Sequence, residues 1–330
     1  MALPVDAVVA VTYRCDSRCS MCNIWQLPPG EELAPAEYRA LPRTLRDVNI
    51  TGGEPFLRDD IVEIVRVVHE RCGGPRIVIS TNGFERRRIV HAAPALMKIG
   101  RSVGIAVSLD GIGEMHDEIR GVAGGFDRVV ETLKQLRTMG YRNVRVAFTA
   151  QRANVEHLGA VYDLSRQFGY QFTASVAQNS EFYFSTDENQ AVDPRALDEE
   201  LRFVMRRELL SASPKRWLRA YFYAGVLRFN AARTRMLSCR AGGDSFFMDP
   251  AGIVYPCLTL NRAMGTVRER KFEEIWESAE AERARAAVRG CAAPCWMICT
   301  ARTAMMRRPQ EPARWILGSW LKLAAGKRLD

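Results

Sequence analysis

Cys15-Asp16-Ser17-Arg18-Cys19-Ser20-Met21-Cys22 is the stretch on which the reading of the fold turns. Its three thiols, spaced by three and then two residues, follow directly on an apolar, β-branched run at residues 7–12. Three thiolates this close can bind three irons of a cubane cluster and leave the fourth iron open to a small molecule. A structural zinc site is the main alternative. Such sites usually pair two two-cysteine knuckles, and a lone three-cysteine run fits them poorly.

Outward from this loop, strand-like and helix-like segments alternate. Apolar runs at 7–12, 48–51, 76–80, 103–109, 144–149 and 171–176 predict six strands. Segments 60–70, 86–98, 126–139 and 155–168 predict helices between them. In the first of these, Ile61, Ile64, Val65 and Val68 share one face at helical spacing. The expected class is α/β, with parallel strands joined by right-handed crossovers. Polar and glycine-rich residues follow most strands: the cysteine loop, Gly52-Gly53-Glu54-Pro55, Thr81-Asn82-Gly83 and Asp110-Gly111. Ligands of such sheets and barrels bind at the carboxyl ends of the strands, so these motifs are expected at one mouth.

Cys-x3-Cys-x2-Cys after the first strand resembles the hallmark of the radical S-adenosylmethionine (SAM) superfamily, over roughly the first 175 residues. The resemblance implies a partial (β/α)6 TIM-like barrel in which Cys15, Cys19 and Cys22 hold a [4Fe–4S] cluster. It further implies that SAM chelates the open iron through its amino and carboxylate groups. An electron, from a flavodoxin- or ferredoxin-type donor, then cleaves SAM to methionine and a 5′-deoxyadenosyl radical, which abstracts a substrate hydrogen.

By the same resemblance Gly52, Gly53, Glu54 and Pro55 hold the methionine amino group. Glycines let the backbone approach a ligand closely, and a carboxylate can accept hydrogen bonds from an ammonium group. Alone, this tetrapeptide reads as an ordinary tight turn. Ser80, Asn82, Ser108 and Asp110 place small polar side chains at the mouth, where family members bind the ribose or the methionyl carboxylate. Arg120 is a candidate partner for that carboxylate or for the substrate. Asn-Gly and Asp-Gly are also plain turn chemistry. Met21 stands where the family often has an aromatic residue; an apolar side chain near adenine can still serve.

From Asp193 the pattern changes. Residues 194–210 predict a long helix, 245–248 and 253–256 a hairpin about Asp249-Pro250-Ala251-Gly252, and 272–288 another helix. Cys239 and Cys257 flank the hairpin, and Cys291, Cys295 and Cys299 recur every four residues. Cys239-x17-Cys257 resembles the start of the SPASM and twitch extensions of radical SAM enzymes. This implies a small C-terminal domain with ligands for an auxiliary [4Fe–4S] cluster. A full SPASM domain carries two such clusters and needs more cysteines than these five. One auxiliary cluster is expected, with four ligands and one cysteine over; which one the sequence leaves open. Zinc could use four of the same thiolates. Cys72 stands alone, and His69, His91, His116 and His157 show no metal-like spacing. The expected organisation is a barrel at 1–180, basic and aromatic connecting helices at 181–238, the auxiliary-cluster domain at 239–310 and an amphipathic tail helix at 311–330.

The 330-residue chain carries a net charge of +9, and its location is informative. Between Arg202 and Arg240 ten Lys and Arg residues face a single acid, Glu208, so this stretch equals the whole excess. It fits an anionic partner such as a phosphorylated or nucleotide-linked sugar, an acidic peptide, a phospholipid surface or RNA. It equally fits a solvated helical face with Trp217, Tyr221, Phe222, Tyr223 and Phe229 packed inward. No RNA-binding motif accompanies it, so nucleic acid is not the expected partner. In the tail, Trp315, Ile316, Leu317, Trp320, Leu321, Leu323 and Ala324 form an apolar face flanked by Arg314, Lys322, Lys327 and Arg328. That pattern suits an interfacial membrane helix or a helix docked on the barrel. No apolar stretch approaches the ~20 residues of a membrane span. The first residues lack the basic region of a secretory signal. A cytoplasmic protein is expected, peripheral to a membrane if the tail inserts.

These features together predict a radical SAM oxidoreductase. Its leading substrates are a sugar or aminocyclitol alcohol, or a lipid-linked, glycolipid-type anionic molecule. Peptide maturation by thioether formation or epimerisation is the alternative. A zinc-binding nucleic-acid module would explain the cysteines and the charge. It would not explain Gly52-Gly53-Glu54-Pro55 or the six strand–helix alternations.

Overall fold

Strand β1 (Asp6–Thr12) is buried at every position, the mark of a strand covered on both faces. Its residues alternate between two cores. Ala7, Val9 and Val11 join the large outer core under the helices, and Val8 and Ala10 join a smaller one inside the barrel with Tyr183, Phe247 and Leu258. The computed structural model describes residues 2–28, 30–180, 182–291 and 295–329.

Five further strands follow: β2 (Asp47–Gly52), β3 (Arg76–Thr81), β4 (Val103–Ser108), β5 (Val144–Ala150) and β6 (Gln171–Val176). They pair in parallel, each with the next. The helices between them are α1 (Ile61–Arg71), α2 (Arg86–Ile99), α3 (Glu114–Arg120), α4 (Gly125–Thr138) and α5 (Leu158–Gln167). After β6 come α6 (Pro194–Leu209) and α7 (Pro214–Ala232), then β7 (Ser245–Met248), β8 (Ile253–Tyr255) and β9 (Gly265–Thr266). Four helices close the chain: α8 (Phe272–Trp276), α9 (Ala279–Arg289), α10 (Ile298–Arg307) and α11 (Gln310–Ala324). The sheet order is β6-β5-β4-β3-β2-β1-β7-β8-β9, an α/β partial barrel extended on one side.

Three expectations change in detail. The hairpin does not stand apart, because β7 pairs in parallel with β1 while β8 turns back antiparallel to it. Phe246 and Phe247 explain this: Phe246 packs outward on Phe272 and Trp276, and Phe247 inward on Tyr183. The helix expected at 272–288 breaks at Ser278, whose hydroxyl caps α9 by accepting from Ala281 N at 3.1 Å. Residues 155–157 form a 3-10 turn ahead of α5.

The basic stretch proves to be α7 and its flanks, with the aromatics turned inward. Tyr221, Phe222, Tyr223 and Phe229 are buried. Glu208 is shared between Arg216 and Arg219, at 2.9 and 3.6 Å. The tail helix packs on α7 through Trp217 against Trp320 and Tyr221 against Trp315. The Trp320 indole donates to Leu209 O at 3.1 Å. The tryptophan face of the tail is therefore spent on the protein. Among the described residues no helix is long and apolar enough to cross a membrane.

Candidate functional site

The mouth of the barrel forms where β2 presses against the chain leading to Cys15. Gly53 N donates to Thr12 O and Glu54 N to Arg14 O, both at 2.8 Å. A Cβ on Gly52 would lie 2.0 Å from Thr12 O, and one on Gly53 2.2 Å from Arg14 O. Only glycine allows this approach, and Gly52 also sits at φ +136°.

Glu54 lies one layer below the mouth. It is wholly buried, with Oε1 accepting from Phe56 N (3.0 Å) and Thr81 Oγ1 (2.9 Å), and Oε2 from Asn82 N (2.7 Å). Burial pushes its carboxyl up to about 7, against the pull of these donors. Neither Glu54 nor Pro55, which opens a 3-10 turn, reaches the cavity wall. Through these bonds Glu54 ties the ends of β2 and β3 together. The backbone of Gly52 and Gly53 faces the cavity instead.

That cavity, of about 320 Å3, is lined by Cys15, Cys19 and Cys22 together with Gly52, Gly53, Ser80, Asn82, Ser108 and Arg120. Cys19 is the best anchored thiol. Ser17 Oγ lies 3.1 Å from its sulfur and donates to Arg120 O at 3.0 Å. Arg120 Nη1 donates to the same sulfur at 3.5 Å, while Nη2 lies 2.5 Å from Asp110 Oδ2. Asp110 is fully buried and accepts from Thr149 N at 2.6 Å. It does not reach the cavity; it holds Arg120 there. Burial pushes the Asp110 carboxyl up, opposed by Arg120. Desolvation lowers Arg120, but Asp110 and Cys19 more than offset it and the guanidinium ends well above its ordinary value. Ser80 donates to Asn49 Oδ1 at 3.0 Å, and Asn82 Nδ2 to Asp16 Oδ1 at 2.6 Å.

Burial pushes the Cys15 thiol up to about 12 and the Cys22 thiol up to about 11, with Cys19 adding to both. Three half-buried thiolates are unfavourable on one wall unless a cationic core compensates them. An iron cluster supplies such a core, so the residues fit one.

Sequence reasoning missed part of the wall. Asn49 and Thr51 on β2, Thr149 on β5, Ser175 on β6, Gln178 and Tyr183 also line it. The strand residues alternate with buried apolar neighbours such as Ile50, and a period-two reading finds them. Tyr183 carries no such signal. It comes from the segment after β6, and its hydroxyl donates to Gly52 O at 3.4 Å.

A second cavity, of about 370 Å3, is lined by Cys239, Cys257, Cys291 and Cys295 with Arg235. Cys299 is not on this wall; it packs against the inner core beside the Asp6–Arg302 pair. Burial pushes Cys295 up to about 12 and raises Cys257 and Cys299. Arg235 donates to Cys295 O and stacks over Trp296. A third cavity, of about 380 Å3, joins the other two. It shares Val176, Ala177 and Gln178 with the first and Cys295 and Thr259 with the second. Leu258, next to Cys257, and Met297, between Cys295 and Cys299, reach into the wall of the first. Among the described residues no carboxylate lines any of the three, whereas Arg120, Arg233, Arg235 and Arg289 do.

An open α/β barrel with a thiol-lined mouth and a second thiol-lined cavity beside it fits an iron–sulfur enzyme of the radical type. Residues 9–164 match the family model of the radical SAM superfamily, and residues 239–300 match that of the SPASM iron–sulfur cluster-binding domain. The chain belongs to the radical SAM superfamily, in its SPASM-type branch. SAM, a [4Fe–4S] cluster and auxiliary iron–sulfur chemistry are its cofactors.

Among similar proteins, the AdoMet-dependent heme synthase of Methanosarcina barkeri is 28% identical over 71% of this chain and 69% of its own length. The mycofactocin maturase MftC of Mycobacterium tuberculosis is 27% identical over 83% and 71%. The structure of Streptococcus suis SuiB bound to S-adenosylmethionine superposes with a TM-score of 0.63 over 84% of this chain and 66% of that one, at 16% identity. At that identity the likeness shows a shared fold.

Proposed function

We propose a radical SAM oxidoreductase in which Cys15, Cys19 and Cys22 hold the SAM-binding cluster and Cys239, Cys257, Cys291 and Cys295 hold one auxiliary [4Fe–4S] cluster. When bound, the first cluster with SAM supplies a 5′-deoxyadenosyl radical that removes a hydrogen atom, and the auxiliary cluster supplies an electron acceptor or an anchor for the substrate. The observation that carries this reading is the shared wall: residues 176–178 and Cys295 link the two thiol-lined cavities.

The chain's own residues divide the remaining work. The Gly52 and Gly53 backbone, Ser80, Asn82 and Ser108 offer hydrogen-bonding groups to the polar ends of SAM. Arg120, fixed by Asp110, brings positive charge to the Cys19 side. Leu258, Met297 and Phe184 cover the cavity and exclude water. A ferredoxin- or flavodoxin-type protein is the expected reductant.

Arginines without carboxylates along the cavities favour an anionic substrate. A sugar-derived or lipid-linked anion satisfies this. A peptide is the second reading, favoured by the likeness to the mycofactocin maturase over 83% of the chain. Deuterated candidates from each class, incubated anaerobically with SAM and dithionite, separate the two. The substrate transfers deuterium to 5′-deoxyadenosine, which gains one mass unit. If turnover with the true substrate is unchanged in a Cys257→Ala/Cys295→Ala variant, the auxiliary role fails.

A further inference from the structure

Four of the large apolar side chains most open to solvent fall on one composite surface. Leu210 lies in the turn between α6 and α7, Leu218 on α7, and Leu317 and Leu321 on α11. Their exposures are 67, 42, 58 and 74%. The elements carrying them are bonded together. Trp320, preceding Leu321, donates to Leu209 O, preceding Leu210. Trp217, preceding Leu218, packs on Trp320 and donates to Ser211 O at 2.6 Å. Leu317 and Leu321 are four residues apart and share one face of α11. This face is distinct from the tryptophan face that docks on α7.

Cations surround these leucines. Arg206, Lys215, Arg314 and Lys327 are exposed, and none has a carboxylate partner among the described residues. Three of the nearby acids are already engaged: Asp198 by Arg202 and Arg328, Asp163 by Arg207, and Glu208 by Arg216 and Arg219; Glu311, in the first turn of α11, lies toward Tyr221. At Lys215 the positive charge is concentrated. The guanidiniums of Arg145, Arg219 and Arg76 crowd its ammonium, with Asp47 the acid opposing them. The Arg145 guanidinium has no hydrogen-bond or ion-pair partner among the described residues, while its backbone is paired within the sheet. Arg76 opens β3, Arg145 is the second residue of β5, and Arg219 bonds Gln171, which opens β6. Arg76 pairs with Asp47 and Arg219 with Glu208, so the uncompensated charge at the amino ends of the strands, opposite the thiol-lined mouth, is that of Arg145 and Lys215.

Exposed leucines ringed by unpaired cations match the chemistry of an anionic bilayer: acyl chains below and phosphates at the level of the Lys and Arg head groups. We infer that the surface built from the α6–α7 turn, the start of α7 and α11 docks the enzyme on an anionic lipid membrane, with the barrel mouth facing away from it. A free phosphate would satisfy the cations and leave the four leucines in water. A second copy of the chain would bring the same positive charge against itself.

Co-sedimentation of the holoenzyme with vesicles tests this. Phosphatidylcholine vesicles containing about a third phosphatidylglycerol should retain the protein, and pure phosphatidylcholine should not. Leu317→Asp/Leu321→Asp should abolish retention. Lys215→Ala/Arg314→Ala should weaken it about 25-fold, at about fivefold for each cation. Both variants should keep the wild-type melting temperature and the wild-type rate of SAM cleavage, because the four positions are exposed and far from the mouth. Equal recovery on both vesicle types, or wild-type retention of the leucine variant, overturns the inference. So does a wild-type dimer that the leucine variant makes monomeric, with no vesicle binding by either.

Discussion

Arg120→Met removes the guanidinium that joins β4 to the cysteine loop. Asp110 then remains fully buried without its cation. Breaking a buried pair from one side costs about 3–5 kcal/mol, because the other charge is left uncompensated. A direct estimate agrees: opposite charges about 4 Å apart at an effective dielectric of about 20 interact by about 4 kcal/mol. For a chain of this length about 2 °C of melting temperature is lost per kcal/mol, so the variant should melt about 6–10 °C lower. The double variant Asp110→Asn/Arg120→Met is the informative partner. Asn can still accept from Thr149 N, now at 2.6 Å, and carries no charge to strand. It should recover at least half of the lost stability. Both variants lose the contact with Cys19 equally, so their difference isolates the Asp110 charge. Anaerobic thermal unfolding followed by far-ultraviolet circular dichroism reads it. A single variant within about 2 °C of wild type, or a double variant as unstable as the single, refutes the reasoning.

Gly53→Ala places a Cβ 2.2 Å from Arg14 O and must part β2 from the cysteine loop. Displacement of this order should lower 5′-deoxyadenosine formation about a hundredfold, read by anaerobic product analysis. Cys295→Ala should cut iron from about eight to about four per chain, whereas Cys299→Ala should leave it near eight. Iron loss with Cys299→Ala would reassign the ligand set. Acid should destabilise the protein through His116. Burial, aided by Arg120, holds its imidazole down at about 3, against an ordinary 6.5, so it is neutral when folded. As pH falls below 6.5 the unfolded chain takes up the proton first, and stability is lost down to the folded value. From pH 6.5 to 5 this amounts to about 2 kcal/mol. In His116→Gln the fall in melting temperature over that interval should be about 4 °C smaller.

The barrel was largely legible because its strands announce themselves. Segment 171–176 alternates Phe172, Ala174 and Val176 with Gln171, Thr173 and Ser175, and β6 occupies that span with the first set buried. The cysteine loop and Gly52-Gly53 were legible because backbone crowding and thiol chemistry leave few substitutes. Tertiary contacts hid the rest. Phe246 and Phe247 look like one side of a small hairpin, but only the open edge of β1 decides that they extend the barrel. Asp110 and Glu54 read as ligand-facing because acids at strand ends often are. Their partners, Arg120 and the Asn82 amide, are 10 and 28 residues away in sequence, and only the fold turns the carboxylates inward. The tail showed two amphipathic possibilities; α7 chose one face of it and left Leu317 and Leu321 outside.

Removing the first thiol set alone tests the central claim most directly. A Cys15→Ala/Cys19→Ala/Cys22→Ala variant, purified anaerobically and assayed with SAM and dithionite, should keep about four irons per chain of about eight and form no 5′-deoxyadenosine. Undiminished iron, or continued formation of 5′-deoxyadenosine, would contradict a radical-generating cluster at Cys15, Cys19 and Cys22.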